Sequence, residues 1–326
     1  MLLFSIQSLT GSLTSPMVLA FLLGIIATLI KSDLKFPEGM YLGLTIFLLF
    51  AIGLKGGYKL SHTHLSDFWK PALGAILVCV SFPLLSYFIL KRILGFDAIN
   101  AAAIAAHVGS VSVVTFSQTL VMLDKMQITY EGYMPAILAI MEVPGILVAL
   151  YLAQRNASLP KEERNSVLHE LLTNKGMVLL IGGILIGLAT GDDGYHQVEP
   201  LYDGMFKGIL CLFLLEVGLV TGRRLFDLKK VGPKLLLYGL LIPIIHAGIG
   251  IMVAHAAGLS IGGATAFATL CASASYIAAP AAVRIALPEA NPTYYLTVAL
   301  VIIFPFNLTV GISLYYKLAQ YIYAIW

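Results

Sequence analysis

Apolar residues dominate ten stretches of the chain, around 16–30, 40–54, 71–90, 98–123, 133–153, 176–190, 203–220, 235–257, 261–287 and 293–318. Polar and basic residues collect in the short gaps between them. A helix rises about 1.5 Å per residue, so about 20 apolar residues cross roughly 30 Å of hydrocarbon. The pattern therefore predicts about ten membrane-crossing helices, with the first and sixth short for a full span. The longest hydrophilic connection, "QRNASLPKEERNSVLHELLTNK" (154–175), is too short for a soluble domain. The expected fold class is an all-α integral membrane protein.

The pattern also repeats. "FAIGLKGGYKL" (50–60) resembles "LEVGLVTGRRL" (215–225), and "SFPLL" (81–85) matches "LIPII" (241–245). "MEVPG" (141–145) falls opposite "IFPFN" (303–307), and "YLAQ" (151–154) recurs as "KLAQ" (317–320). "GSVSVVT" (109–115) and "ASASYIA" (272–278) occupy the same place within their halves. This predicts a five-helix repeat over 1–156, a cytoplasmic linker over 157–175 and a second five-helix repeat over 176–326. With an odd number of crossings per half, the copies insert upside down relative to one another, a recurrent transporter device.

Composition strengthens the membrane reading. Of the 326 residues, 59% are hydrophobic and 11% charged, against about 45–50% and about 25% in soluble domains. The net charge of +3 reflects loop lysines and arginines, not a nucleic-acid footprint. Loops near 31–35, 91–92, 155–175, 223–234 and 284 hold fourteen of the 20 basic residues. The positive-inside bias puts those loops in the cytoplasm and both termini outside. Lys55, Lys59 and Lys70 run against the trend. The three cysteines, Cys79, Cys211 and Cys271, lie in apolar runs and read as small buried side chains.

Candidate chemistry sits where polar residues interrupt the apolar runs. Gly109, Ser110 and Ser112 can break the fourth helix, and Ser273 and Ser275 the ninth. Each break exposes a half-helix N-terminus with unpaired N–H groups and partial positive charge. Two such ends meeting near mid-bilayer make an anion site without an arginine. Close helix packing also selects Gly, Ala and Ser, but their symmetric recurrence favours a site. Glu142, just before Pro144, offers a carboxylate beside loosened carbonyls, suited to a hard cation. Asn307 is its approximate counterpart. Glu216 either pairs with Lys207 or lines a crevice. Thr115 and Thr269 flank the breaks, and threonines there commonly bond back within their helices. His107 and His246 read as structural. A membrane-embedded hydrolase using Ser110 with one of those histidines is disfavoured, because the symmetric copy has Leu270 at the histidine position.

Through "IGLKGG" (52–57), "GSVSVVT", "AIMEVPGI" (139–146), "CASAS" (271–275) and "AVRIALPEANPTYY" (282–295), the chain resembles the sodium-dependent bicarbonate transporter family, SbtA type. The resemblance implies ten helices in two inverted halves, with broken helices 4 and 9 crossing at the centre. It implies a homotrimer in the bacterial plasma membrane, importing bicarbonate with sodium as coupling ion and no organic cofactor. It also implies a PII-like cytoplasmic regulator. The anion is then expected at Gly109, Ser110, Val111, Ser112, Ala272, Ser273, Ala274 and Ser275. Sodium is expected at Thr115, Glu142, Thr269 and Asn307. The chain departs from the family at Tyr276, where an aspartate is usual, and at Val113 and Val114, where small polar residues are. Glu142 stands for a usual aspartate, and the loop from 154 to 175 is short. These departures leave open another small anion or proton coupling.

Overall fold

The computed structural model describes residues 14–154 and 161–326. The expected junction at 156–157 falls outside the described residues. The described residues are all-helical, at 84% helix with no strand among them. In order, α1 is Pro16–Leu29, α2 Glu38–Ser61, α3 Leu65–Phe88, α4 Ala98–Val108, α5 Val113–Lys125, α6 Met134–Glu142 and α7 Pro144–Gln154. There follow α8 Lys161–Thr173, α9 Lys175–Tyr202, α10 Phe206–Arg224, α11 Leu228–Ala256, α12 Ile261–Ala272 and α13 Ala278–Ala286. The last stretch runs from α14, Pro292–Leu296, through α15, Phe304–Phe306, to α16, Ile312–Ile325, joined by π-helical turns.

Seven of the helical stretches are long and apolar enough to cross a membrane, and α1 and α12 are shorter apolar helices. One stretch, Phe206–Ala256, has 51 residues, about 76 Å of helix and more than twice a bilayer's hydrocarbon depth. It contains a 3₁₀ turn at Leu225–Asp227 and a left-handed Gly232, φ 75°.

Small residues decide how the helices approach. Added Cβ atoms at Gly53 and Gly183 would meet each other's helix backbone, so α2 and α9 lie side by side at near-backbone contact. Gly24 on α1 and Gly218 on α10 make the same kind of seam. Along each pair the contact positions rise together, so both pairs are parallel. In lipid, where tails are as apolar as leucine, such close approach supplies the van der Waals attraction between helices. A second group of helices surrounds α4 and α12. Both are covered on nearly every side: Ala101 to Ala106 are 0% exposed, and Gly262 to Ala272 are buried. By contrast α3 and α11 each turn one apolar stripe outward, including Leu77 at 59% and Leu237 at 57% exposed, as lipid-facing helices do.

Two features depart from the apolar pattern. The expected linker contains α8, whose Val167 and Leu171, spaced i and i+4, are buried. α9 bends sharply at Gly191, φ 57° and ψ −146°, a backbone that side-chain-bearing residues rarely adopt. Its second part then runs back along α2. Tyr195 stacks on Tyr58 at 4.2 Å, and Tyr202 lies 5.3 Å from both Phe47 and Phe50.

Candidate substrate-binding cleft

The cleft is built where two helices stop short. Asp97 starts α4 by accepting the Asn100 N–H at 2.9 Å, an N-cap that satisfies an otherwise orphaned donor. α4 ends at Val108. Ser112 is extended, φ −114° and ψ 113°, and caps α5 by accepting from the Thr115 N–H at 3.3 Å and the Thr115 hydroxyl at 3.0 Å. In the second half α12 ends at Ala272 and Ser273 is extended, φ −84° and ψ 171°. Ser275 accepts the Ala279 N–H at 3.1 Å, at the start of α13.

The two interruptions satisfy one another. The Ser112 N–H donates to the Ser273 hydroxyl at 2.8 Å, and the Ser275 N–H donates to the His107 carbonyl at 2.8 Å. Irregular backbone at membrane depth is tolerable only when protein or a polar cavity meets its polar groups, and these bonds do so. Neighbouring helices supply more. The Ser110 hydroxyl donates to the Glu142 carbonyl at 2.7 Å, where α6 ends. The Asn307 amide donates to the Ala272 carbonyl at 2.9 Å and accepts from the Tyr315 hydroxyl at 2.6 Å. Thr269 bonds back to the Thr265 carbonyl at 2.9 Å.

Between the interruptions lies a narrow cleft of about 10 Å³, room for about one water. Val111, Ser112 and Val113 form one wall and Ser275 to Ala278 another. Leu49, Glu142 and Gly176 complete it. Val113 at the start of α5 and Ala278 at the start of α13 therefore border the same space, together with Ser112, Ser275 and Glu142. Of the eight residues expected to meet the anion, Val111, Ser112 and Ser275 line the cleft. Gly109, Ser110, Ala272, Ser273 and Ala274 do not; Ser110 and Ser273 instead brace the backbone. Of the four expected sodium residues only Glu142 lines it. Thr115, Thr269 and Asn307 make the bonds just described and are not among the cleft-lining residues.

Glu142 is 5% exposed, and its Oε2 has no hydrogen-bond partner. Its Oε1 sits 3.2 Å from where a Cβ on Gly176 would stand. A glycine there lets the carboxylate approach the first turn of α9, whose N-terminal amides favour negative charge. Asn174 caps that turn by accepting the Met177 N–H at 3.1 Å. The sequence reading missed Gly176 and Asn174. The signal was present, since an asparagine before an apolar helix is a common N-cap.

Tyr276 marks an asymmetry. Its ring meets Phe304 at 5.4 Å, and Phe304 meets Phe21 at 5.4 Å. Aromatic packing thus surrounds Tyr276, which shares the cleft wall with Glu142. His107 donates from Nδ1 to the Ala103 carbonyl at 2.7 Å and stacks on Tyr295 at 4.5 Å. His246 stacks on Phe82 at 4.0 Å. Ser110 bonds a carbonyl, so no serine–histidine dyad forms with it among the described residues. Glu216 is 7% exposed with an unpartnered Oε2 and makes no ion pair with Lys207 among the described residues.

Gly145 presses directly on the Gly109 carbonyl, where any Cβ would collide with backbone. Gly145→Ala is expected to destabilise the protein by about 1–3 kcal/mol through overpacking. Thermal unfolding in detergent measures this; an unchanged midpoint would mean that the α4–α7 approach is loose.

The sequence profile of the Na+-dependent bicarbonate transporter superfamily matches residues 16–320. No curated protein matches the chain in a sequence search.

Proposed function

The chain belongs to the Na+-dependent bicarbonate transporter superfamily, and on that premise we propose that it takes up bicarbonate together with sodium across a bacterial plasma membrane. What carries the reading is the convergence of Ser112, Ser275 and the first turns of α5 and α13 on one cleft with Glu142 beside them. Amide and hydroxyl donors hold the anion. The buried carboxylate holds the cation, and each ion offsets the field of the other. Loading both together is then favoured over loading either alone, which is the physical content of symport.

The proposal includes ten crossings in two inverted repeats. The seven long stretches reach eight when the 51-residue stretch counts twice, and ten with α1 and α12. Two matched seams, α2 with α9 and α1 with α10, support the inverted relation, because exchanging the halves carries one seam into the other. Ile93 and Lys234 line one surface cleft, which supports placing the basic loops near 91 and 234 on a common, cytoplasmic side. Trimeric assembly and a PII-like regulator belong to the same proposal through family resemblance.

A cleft of about 10 Å³ does not admit a planar anion of four heavy atoms. The described conformation is therefore closed. Transport requires the α2–α9 pair, carrying Leu49 and Gly176, to shift against α5 and α13, in the manner of two bodies moving about a fixed site. Labelled bicarbonate should accumulate in vesicles only under an inward sodium gradient. Uptake indifferent to sodium would remove the coupling, and preference for another small anion would remove the substrate. Proton coupling is the second reading, favoured because Glu142 is the sole carboxylate lining the cleft among the described residues. Collapsing a proton gradient in the same vesicles separates the two.

A further inference from the structure

One helical turn along α2 from Leu49 lies a second cavity, of about 50 Å³. In the same measure a water needs about 10–15 Å³, so this space holds roughly four water-sized groups, the size of a small planar oxyanion. It is walled by Ile52 and Lys55 of α2, Leu120 and Asp124 of α5, and Asp203 and Lys207 around the start of α10. It therefore lies between the same helices that must separate during transport. In the proposed orientation it faces outward, because α5 runs from the cleft toward the side whose loops hold few basic residues.

Its charges are arranged for exchange. Lys55 Nζ meets Asp203 Oδ1 at 2.7 Å, with both side chains only partly covered. The other carboxylate, Asp124, already accepts from the Tyr130 hydroxyl at 3.0 Å. Lys207, also on the cavity wall, makes no ion pair among the described residues, so no carboxylate holds its ammonium although the two lysines and two aspartates leave the lining formally neutral. Lys55 lies in an apolar helix on the side where the charge bias disfavours lysine, which needs a reason beyond topology.

We infer that this cavity is a waiting site for a small oxyanion such as bicarbonate, held by Lys207 and by Lys55 in exchange with Asp203, before the anion passes one turn inward to the cleft. The inference rests on the transport reading for the anion's identity, but binding can be read without transport. In a Cys211→Ser background, Leu120→Cys places a thiol on the cavity wall. Bicarbonate at about two to four times its dissociation constant should slow the thiol's labelling by a membrane-impermeant maleimide about three- to fivefold, because protection scales as one plus the ratio of ligand concentration to Kd. That protection should vanish in Lys55→Gln and Lys207→Gln. The same two variants should raise the KM for uptake by a similar factor with kcat retained, whereas Asp203→Asn, which frees Lys55, should lower KM. Lysine-dependent protection supports the site even in vesicles that transport nothing, an outcome that would defeat the function and not the site. Transport with protection that ignores both lysines overturns it. An Asp203→Asn variant that impairs KM as Lys55→Gln does also overturns it, since the ion pair would then be only a brace.

Discussion

Replacing Glu142 by glutamine is expected to abolish sodium-stimulated uptake while leaving a folded protein. The carboxylate is buried, carries an unpartnered oxygen and lines the cleft. Uncoupled charge in that setting is costly unless a cation or a proton arrives. Glutamine keeps the shape and one carbonyl oxygen but removes the charge a hard cation requires. Removing one partner of a buried charge pair typically costs about 3–5 kcal/mol, so sodium affinity should fall by at least about 100-fold. Stability should hold or rise, because the variant no longer buries an unpaired charge. Glu142→Asp should retain coupling with weakened affinity, its shorter reach lengthening the approach to α9. Sodium-dependent uptake by Glu142→Gln with an unchanged sodium requirement would place the coupling ion elsewhere, with Glu216 the next carboxylate to test.

The second large effect separates serines that lie only two residues apart. Ser112→Ala combined with Ser275→Ala should reduce uptake at least tenfold, chiefly through KM, because both serines line the cleft. Each also loses a helix cap, worth about 0.5–2 kcal/mol. Ser273→Ala should behave differently. Its hydroxyl receives the Ser112 N–H, and an amide left unpaired in hydrocarbon costs about 1–3 kcal/mol. Ser110→Ala likewise strands the Glu142 carbonyl. These two variants should lower the unfolding midpoint before they alter anion affinity. A KM effect confined to Ser110 and Ser273 would reverse the assignment of which serines serve the substrate.

The narrow cleft and the larger cavity lie about one helical turn apart along α2. α2 contributes to both through Leu49 and Ile52, and its glycine seam ties it to α9. A rigid α2–α9 pair can thus move as a unit while the paired interruptions, bound to each other, stay fixed. That division of labour follows from where the hydrogen bonds lie. The interruptions are joined by directed polar bonds, and the moving pair by non-directional packing.

Much of this was legible along the chain. Transfer of each residue from water to lipid acts locally, so the apolar stretches, the polar interruptions at 109–112 and 272–275 and the intramembrane Glu142 could be read from sequence alone. The helix at 161–173 was legible too, through Val167 and Leu171, but its charged residues made it look like a plain linker. Tertiary structure decided the rest. Whether Ser110 or Ser112 faces the cleft depends on extended dihedrals at the interruption and on a bond to Ser273, whose position in the chain lies 161 residues away. The approach of Glu142 to Gly176, the return of α9 at Gly191 and the meeting of Lys55 with Asp203 are likewise contacts between distant segments. Hydrophobic patterning sets which residues enter the membrane. It carries no information about which neighbours they find there, because in lipid that choice is made by close packing and by the need to satisfy every buried polar group.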